Sequence, residues 1–348
     1  MITPSERLLA TVNGQPTDRI PIFCNLLDQG ARELGVALRD YYRDGTLVAE
    51  AQLRMREKYG HDNVWCLSYV GKEAELLGCR EILFAEDGPP NVADFVIQEP
   101  ADIHKLHVPD DLTTHPAFRA TLDCLKVLRA EIGGKVPICA YLTASTTLPA
   151  MLMGMDKWLE LLLFGPTELR DLLLAKCCDF FHKQYHAYRA AGADLLCYSS
   201  PFTSTDFLPR RLIREFTLPW MERDLLPCGF EGVVYFCAQA RVVPSLDLVL
   251  ERLPPPTTVY LGPDEDSAAA KRIVTDRALT CGIINDIKLC RWSEQEVRVE
   301  VKRLIEMGKP GGRFFIGTSV MPLAIPERNI HAYIEAASEY GCWNEGNN

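Results

Sequence analysis

Eight short β-rich apolar runs, each followed by a longer stretch with helical periodicity, set the strongest limit on what this chain can fold into. They are RIPIFCNL (19–26), DNVWCLSY (62–69), VPICAYLT (136–143), ADLLCYSS (193–200), GVVYFCA (232–238), TTVYLGP (257–263), LTCGIIND (279–286) and RFFIGTSV (313–320). Near-continuous hydrophobicity suits strands covered on both faces, as in a parallel sheet with helices outside it. The stretches between them, among them 115–134, 166–192, 209–226 and 293–312, read as amphipathic helices. Several end on Gly, and Ser293 with Glu296 three residues on forms a capping-box signature. Eight strand-helix units fit an α/β fold of the distorted (β/α)8 TIM barrel type better than an open sheet. With no internal repeat, linker or shift in composition, 1–348 reads as a single domain. No GxGxxG follows the first run, which removes the usual dinucleotide reading.

Composition narrows the function. At 348 residues and 47% apolar the chain can bury a large core. Its net charge of −10 and lack of long basic runs argue against a nucleic-acid partner. The opening MITPSERLLATVNG is polar and amphipathic, and no stretch approaches the roughly 18 apolar residues of a membrane span. A soluble, cytoplasmic protein is expected. Thirteen cysteines without a CxxC pair point to reduced thiols rather than a disulfide framework, and Cys177-Cys178 reads as helix packing. The seven histidines fall mostly in connections or helices and are assigned surface or core roles.

A barrel of this kind carries its chemistry at the C-terminal ends of its strands. Those ends read Asn25 and Asp28; Ser68 and Tyr69; Thr143 and Ser145; Ser199 and Ser200; Tyr235 and Cys237; Asp264 and Glu265; Asn285 and Asp286; Thr318 and Ser319. Each is polar or ionisable, while the strand bodies hold few such groups. Blander readings stand beside this one. Cys237 is one of six cysteines in the runs and can be another filler. Asp286 can cap a turn, and Asp264-Glu265-Asp266 can favour a helix N-terminus. Glu73 and Glu75 lie two apart, so at most one is expected to face the site.

Collinear segments then carry a resemblance over nearly the whole length: SERLLATVNGQPTDRIPI at the start, GKEAELLGC (71–79), EDGPPNVADFVIQEPADIHKLHVPD (86–110), AGADLLCYSSPF (191–202), GIINDIKL (282–289) and GGRFFIGTS (311–319). Together and in order they resemble the uroporphyrinogen decarboxylase superfamily. Within it they resemble the corrinoid-dependent methyltransferase branch, which includes methylcobamide:thiol methyltransferases and methyl-ether demethylating enzymes. The resemblance implies a distorted TIM barrel with its site at the C-terminal mouth. Porphyrinogen decarboxylases carry Arg-Gln-Ala-Gly-Arg after the first strand, where the arginines hold substrate carboxylates. Here the stretch is Asp28-Gln29-Gly30-Ala31-Arg32, and the acid in place of one arginine disfavours a polycarboxylate. Thiol-methylating members hold zinc through His-x-Cys and a later Cys, which activates the incoming thiol. The matching places are Tyr235, Cys237 and Ser319, so one ligand of three remains. Any zinc would need Cys237 with a carboxylate such as Glu75 or Asp264, or alternatively Glu265 or Asp286.

These departures shift the expected role to the donor side of a methyl relay: methyl transfer from a small methylated substrate, an aryl methyl ether favoured, to the cobalt of a corrinoid on a partner protein. Asp102-Ile103-His104-Lys105-Leu106-His107 lacks the glycine of a corrinoid-binding loop, and the resemblance implies that the corrinoid comes from that separate protein. Tyr235, Asp286 and Glu75 are the expected catalytic groups that stabilise the leaving oxygen. Asn25, Tyr69, Ser145, Ser200, Asn285 and Ser319 are the expected substrate contacts. The alternatives are a thiol methyltransferase with an altered metal site, a decarboxylase of the uroporphyrinogen type, and a non-catalytic binding protein on the same fold.

Overall fold

The computed structural model describes residues 2–85 and 88–343; Glu86 and Asp87, which open the third resemblance segment, lie outside the described residues. Nine strands are present among the described residues: β1 Val64–Trp65, β2 Ile82–Leu83, β3 Asn91–Val92, β4 Ile138–Thr143, β5 Leu195–Ser199, β6 Val233–Phe236, β7 Thr257–Tyr260, β8 Ala278–Ile283 and β9 Phe314–Gly317. Seven form one parallel sheet in the order β1-β4-β5-β6-β7-β8-β9, with helices between successive strands. β2 and β3 make a small antiparallel pair that the sequence reading did not anticipate. The sheet curls as an open half-barrel, consistent with a distorted TIM-like barrel but not closed, since its end strands β1 and β9 do not pair with each other.

The eight-stranded expectation needs correction at the first run. Residues 19–26 form no ladder; they touch the sheet through isolated parallel bridges, Ile22 with Ile316 and Asn25 with Val320. The physical reason lies in side chains that take the place of strand carbonyls. The Ile22 amide donates to Asp62 Oδ2 at 2.8 Å, the Cys24 amide to Asn63 Oδ1 at 2.8 Å and the Asn25 amide to Thr318 Oγ1 at 2.9 Å. Pro21 has no amide hydrogen to offer. The segment is still tied to both edges of the sheet, since Phe23 donates to the Ile316 carbonyl and Asp62 to that of Ile22.

The expected long helices appear as Pro116–Ile132, Thr167–Ala191 and Glu294–Gly308, the last with Ser293 and Glu296 in a capping box. The stretch 209–226 contains a wide π-helical turn, Ile213–Thr217, just before Pro219, whose missing amide hydrogen removes one bond of the regular helical series. No described helix is long and apolar enough to cross a membrane. All thirteen cysteines are free thiols.

Strand pleating sorts side chains to two faces. One face carries an aromatic belt: Trp65 stacks on Tyr141 at 4.5 Å between ring centroids, Tyr141 meets Phe236 at 6.1 Å, Phe236 meets Tyr260 at 5.9 Å, Tyr260 meets Phe315 at 5.4 Å, and Phe315 meets Phe23 at 5.0 Å. Such pairs contribute about 0.5–1.5 kcal/mol each beyond area burial. On the other face Tyr198 and Tyr235 lie against each other, and Tyr198 meets Phe181 of the helix Thr167–Ala191.

Two of the buried carboxyl groups, Asp224 and Asp28, are held by hydroxyl donors. Asp224 accepts from the Ser145 amide, the Ser145 hydroxyl and the Tyr198 hydroxyl at 3.0, 3.0 and 2.8 Å. Asp28 accepts from the Tyr42 hydroxyl. Burial raises both to about 6. A raised folded-state pKa means the folded chain holds more protons than the unfolded one between about 4 and 6. The stabilisation from these groups is therefore full below about 4 and is lost as pH rises through 6. Urea unfolding across pH 4 to 8 is expected to show this decline, and Asp224→Asn should flatten it.

Candidate functional site

The C-terminal ends of β4, β5 and β6 open into a cavity of about 580 Å3. Its floor includes Tyr141, Thr143, Ser199 and Phe236 from strand ends, and its walls come from connections: Ser68, Tyr69, Val70 and Glu73, with residues drawn from 89–95 and 147–155, and Pro201-Phe202. Among the described residues lining it there is no Lys, Arg or His, and Glu73 is the one carboxylate. Val70, Phe95 and Met155, half-exposed, form an apolar lip.

Of the expected catalytic groups, none lines this cavity directly. On β6 the pleat turns Phe236 into the cavity and Tyr235 the other way, where its hydroxyl pairs with Thr203 Oγ1. Cys237, 1% exposed, also lies behind the wall; its thiol reaches the Ser200 carbonyl at 3.5 Å and Thr203 Oγ1 at 3.6 Å. Burial pushes that thiol up to about 12. Glu75 faces Arg43 at 2.6 Å and accepts from the Tyr69 hydroxyl at 2.5 Å. Asp286 stands one step back from the cavity and accepts from Gln239 Nε2 at 3.2 Å; burial raises its pKa.

The expected substrate contacts divide in the same way. Tyr69 and Ser319 line the cavity. Asn25 lies just beneath it, donating from Nδ2 to the Tyr141 hydroxyl at 3.2 Å. Ser145 is engaged by Asp224, and Ser200 is buried with Cys237. Asn285 caps the short helix Asp286–Leu289 by accepting from the Lys288 amide, while Asp264 is exposed and paired with Lys288 at 3.1 Å.

Gln239 and Tyr141 line the cavity without having been singled out in the sequence, and of the pair Glu73 and Glu75 it is Glu73 that lines it. Gln239 follows β6 with φ of 68°, next to Ala238 at 47°, two consecutive non-glycine residues in left-handed backbone. Such strain clusters at functional sites, and it aims the Gln239 amide at Asp286 beside the cavity. Glu73, rather than Glu75, turns inward and accepts from Gln184 Nε2 at 3.1 Å. Tyr141 sits at the middle of a strand run and had no polar strand-end signal to mark it.

The sequence matches the family described as Uroporphyrinogen decarboxylase (URO-D) over residues 3–340. The chain belongs to the uroporphyrinogen decarboxylase family. Its relatives include the methylcobamide:CoM methyltransferase MtaA of Methanosarcina barkeri, 25% identical over 97% of this chain and 98% of that protein. They also include a uroporphyrinogen decarboxylase of Geobacter metallireducens, 24% identical over 94% and 96% of the two chains. Among solved structures, a methyltransferase from Methanosarcina mazei superposes with a TM-score of 0.84 at 20% identity, covering 98% of this chain and 99% of that one. That likeness supports the fold, and the methylcobamide relatives support the corrinoid-dependent branch of the family.

The zinc that the resemblance implies does not fit the residues at its places. Tyr235 and Cys237 face away from the cavity that Ser319 lines, and the Cys237 thiol is held as a neutral donor to a carbonyl. Neither Glu75 nor Asp264 is directed to it, since each has its own cationic partner. Among the described residues no group of three or more His, Cys, Asp or Glu side chains converges.

Proposed function

We propose that this protein is a corrinoid-dependent methyltransferase that takes the methyl group of an aryl methyl ether and passes it to the cobalt of a corrinoid carried by a partner protein. The observation that carries this reading is the character of the cavity: large enough for an aromatic ring, walled by Tyr69, Phe95, Tyr141, Phe202 and Phe236, and free of cationic side chains among its described lining residues. A porphyrinogen's many carboxylates would find no counter-charge there. An uncharged ring can lie against aromatic faces in offset or edge contact.

In this reading Co(I) on the partner supplies the electron pair for the new bond to the methyl carbon. The carbon–oxygen pair leaves with the aryl oxygen, which departs as an anion and takes its proton from solvent. This chain binds and orients the ring, excludes water with the apolar lip, and offers one Gln239 N–H to the departing oxygen while the other is held by Asp286. Asp286 is thus a positioning residue. A preorganised donor is worth most where charge develops.

The test is transfer of isotopically labelled methyl from methoxyarenes to Co(I) cobalamin, run beside transfer from methylcobalamin to coenzyme M. The first is expected to proceed and the second to fail. The reverse pattern would favour the thiol-methylating reading that the methylcobamide:CoM relatives support.

A further inference from the structure

We propose that Glu73 and the aromatic rings around it hold a quaternary trimethylammonium group, and that such a cation serves this protein as a second class of methyl donor. The inference goes beyond the ether reading and shares with it only the cobalt acceptor on the partner.

Glu73 leads to it. The residue is 3% exposed, lines the cavity and is the one carboxylate among its described lining residues. Its Oε1 accepts from Gln184 Nε2 at 3.1 Å, and Oε2 has no hydrogen-bond partner among the described residues. The nearest lysine in sequence, Lys72, does not pair with it: that ammonium is fully buried and donates to the Tyr188 hydroxyl at 2.7 Å. Gln184 joins the two groups by donating also to the Tyr188 hydroxyl at 2.9 Å, so Glu73 is oriented from behind by uncharged side chains.

A carboxylate buried without a cation is costly, and here no Lys, Arg or His among the described lining residues supplies one. The missing charge belongs to an occupant. Tyr69, Phe95, Tyr141, Phe202 and Phe236 line the same space, and the negative faces of such rings attract a cation. An ammonium bearing hydrogens needs an acceptor for each of them. The lining groups flanking the Glu73 helix start are instead Val70 and Val92, the latter packed on Gly71. A quaternary nitrogen has no hydrogen to satisfy, and its methyl groups suit carbon walls.

The transfer balances without a proton. The Co(I) electron pair forms the bond to one methyl carbon, and the carbon–nitrogen pair stays on nitrogen, which leaves as a neutral tertiary amine. No anion develops, so the cavity wall need not supply an acid.

The probes are phenyltrimethylammonium with its uncharged isostere tert-butylbenzene, and choline with 3,3-dimethylbutan-1-ol, titrated by calorimetry into the full-length protein. At least one cation is expected to bind about tenfold or more tightly than its isostere. Glu73→Gln, which keeps an acceptor for Gln184 and removes the charge, should abolish that preference by weakening the cation alone. Isotopically labelled methyl should pass from the preferred cation to Co(I) cobalamin and leave the tertiary amine. Equal binding within both pairs, no measurable binding of either cation, a preference untouched by Glu73→Gln, or binding without methyl transfer would overturn the proposal. Should the variant not fold, the wild-type comparison and the transfer decide it. Transfer from methoxyarenes is scored separately. Success with a cation and failure with every ether removes the ether reading and keeps this one, and the opposite pattern does the reverse.

Discussion

Asp62→Ala lowers the folding free energy by about 3–5 kcal/mol, the scale set by removing one partner from a buried ion pair. Asp62 is 1% exposed, and its carboxylate meets Arg7 Nη1 at 2.8 Å and Arg19 Nη1 at 2.5 Å. It also accepts the Ile22 amide at 2.8 Å, so it serves as the carbonyl that the missing ladder of residues 19–26 does not supply. Arg7 keeps Asp18 as a partner after the substitution, but Arg19 and the Ile22 amide keep none of their bonds to this carboxylate. The buried Ile22 amide then goes unmatched in the segment that tethers the two edges of the sheet, while the half-buried Arg19 keeps the Ile20 carbonyl at 2.9 Å. Asp62→Asn retains an acceptor for Ile22 and should cost less. Equilibrium urea unfolding measures both, and a loss below about 1 kcal/mol for the alanine variant would show that the segment is held by its apolar contacts alone.

Gln239→Gly is expected to lower the turnover of methyl transfer about a hundredfold while changing KM little, the range found when one preorganised donor is removed. Glycine is the informative substitution because the native φ of 68° lies where glycine is unstrained. It removes the amide without adding backbone cost, whereas alanine would mix the two effects. Asp286→Ala should fall in the same direction through loss of the 3.2 Å bond that aims the amide. Asp286→Asn, which keeps an acceptor oxygen, should recover much of the loss. A purely structural role for Asp286 would instead move melting temperature and KM together, with no rescue by asparagine.

Much of the fold was legible in the sequence because covered strands are written as dense apolar runs, and seven of the eight became strands of one sheet. The run at 19–26 looked the same, but its bonding partners are the side chains of Asp62, Asn63 and Thr318, which no pattern of hydropathy reveals. The site was harder to read for a related reason. When both faces of a strand are buried, alternation no longer says which residues face the interior. Tyr235 and Cys237 share one face of β6 and Phe236 takes the other, so a polar strand end and a cavity wall were one residue out of step. Ser319 and Tyr69 line the cavity from the connections that follow β9 and β1. Gln239 carries no glycine or proline signal for its left-handed backbone, and the walls drawn from 89–95 and 147–155 belong to connections that strand-end reasoning does not sample.

Soaking a methoxyphenol into crystals of this protein tests the central claim most directly, because it asks where the ring goes. The expected result is density at the strand ends, with the ring against Tyr141 and Phe236 and Gln239 within hydrogen-bond reach of the ether oxygen. Density beside Tyr235 and Cys237, or at the opposite end of the strands with the 580 Å3 cavity left to solvent, would contradict it.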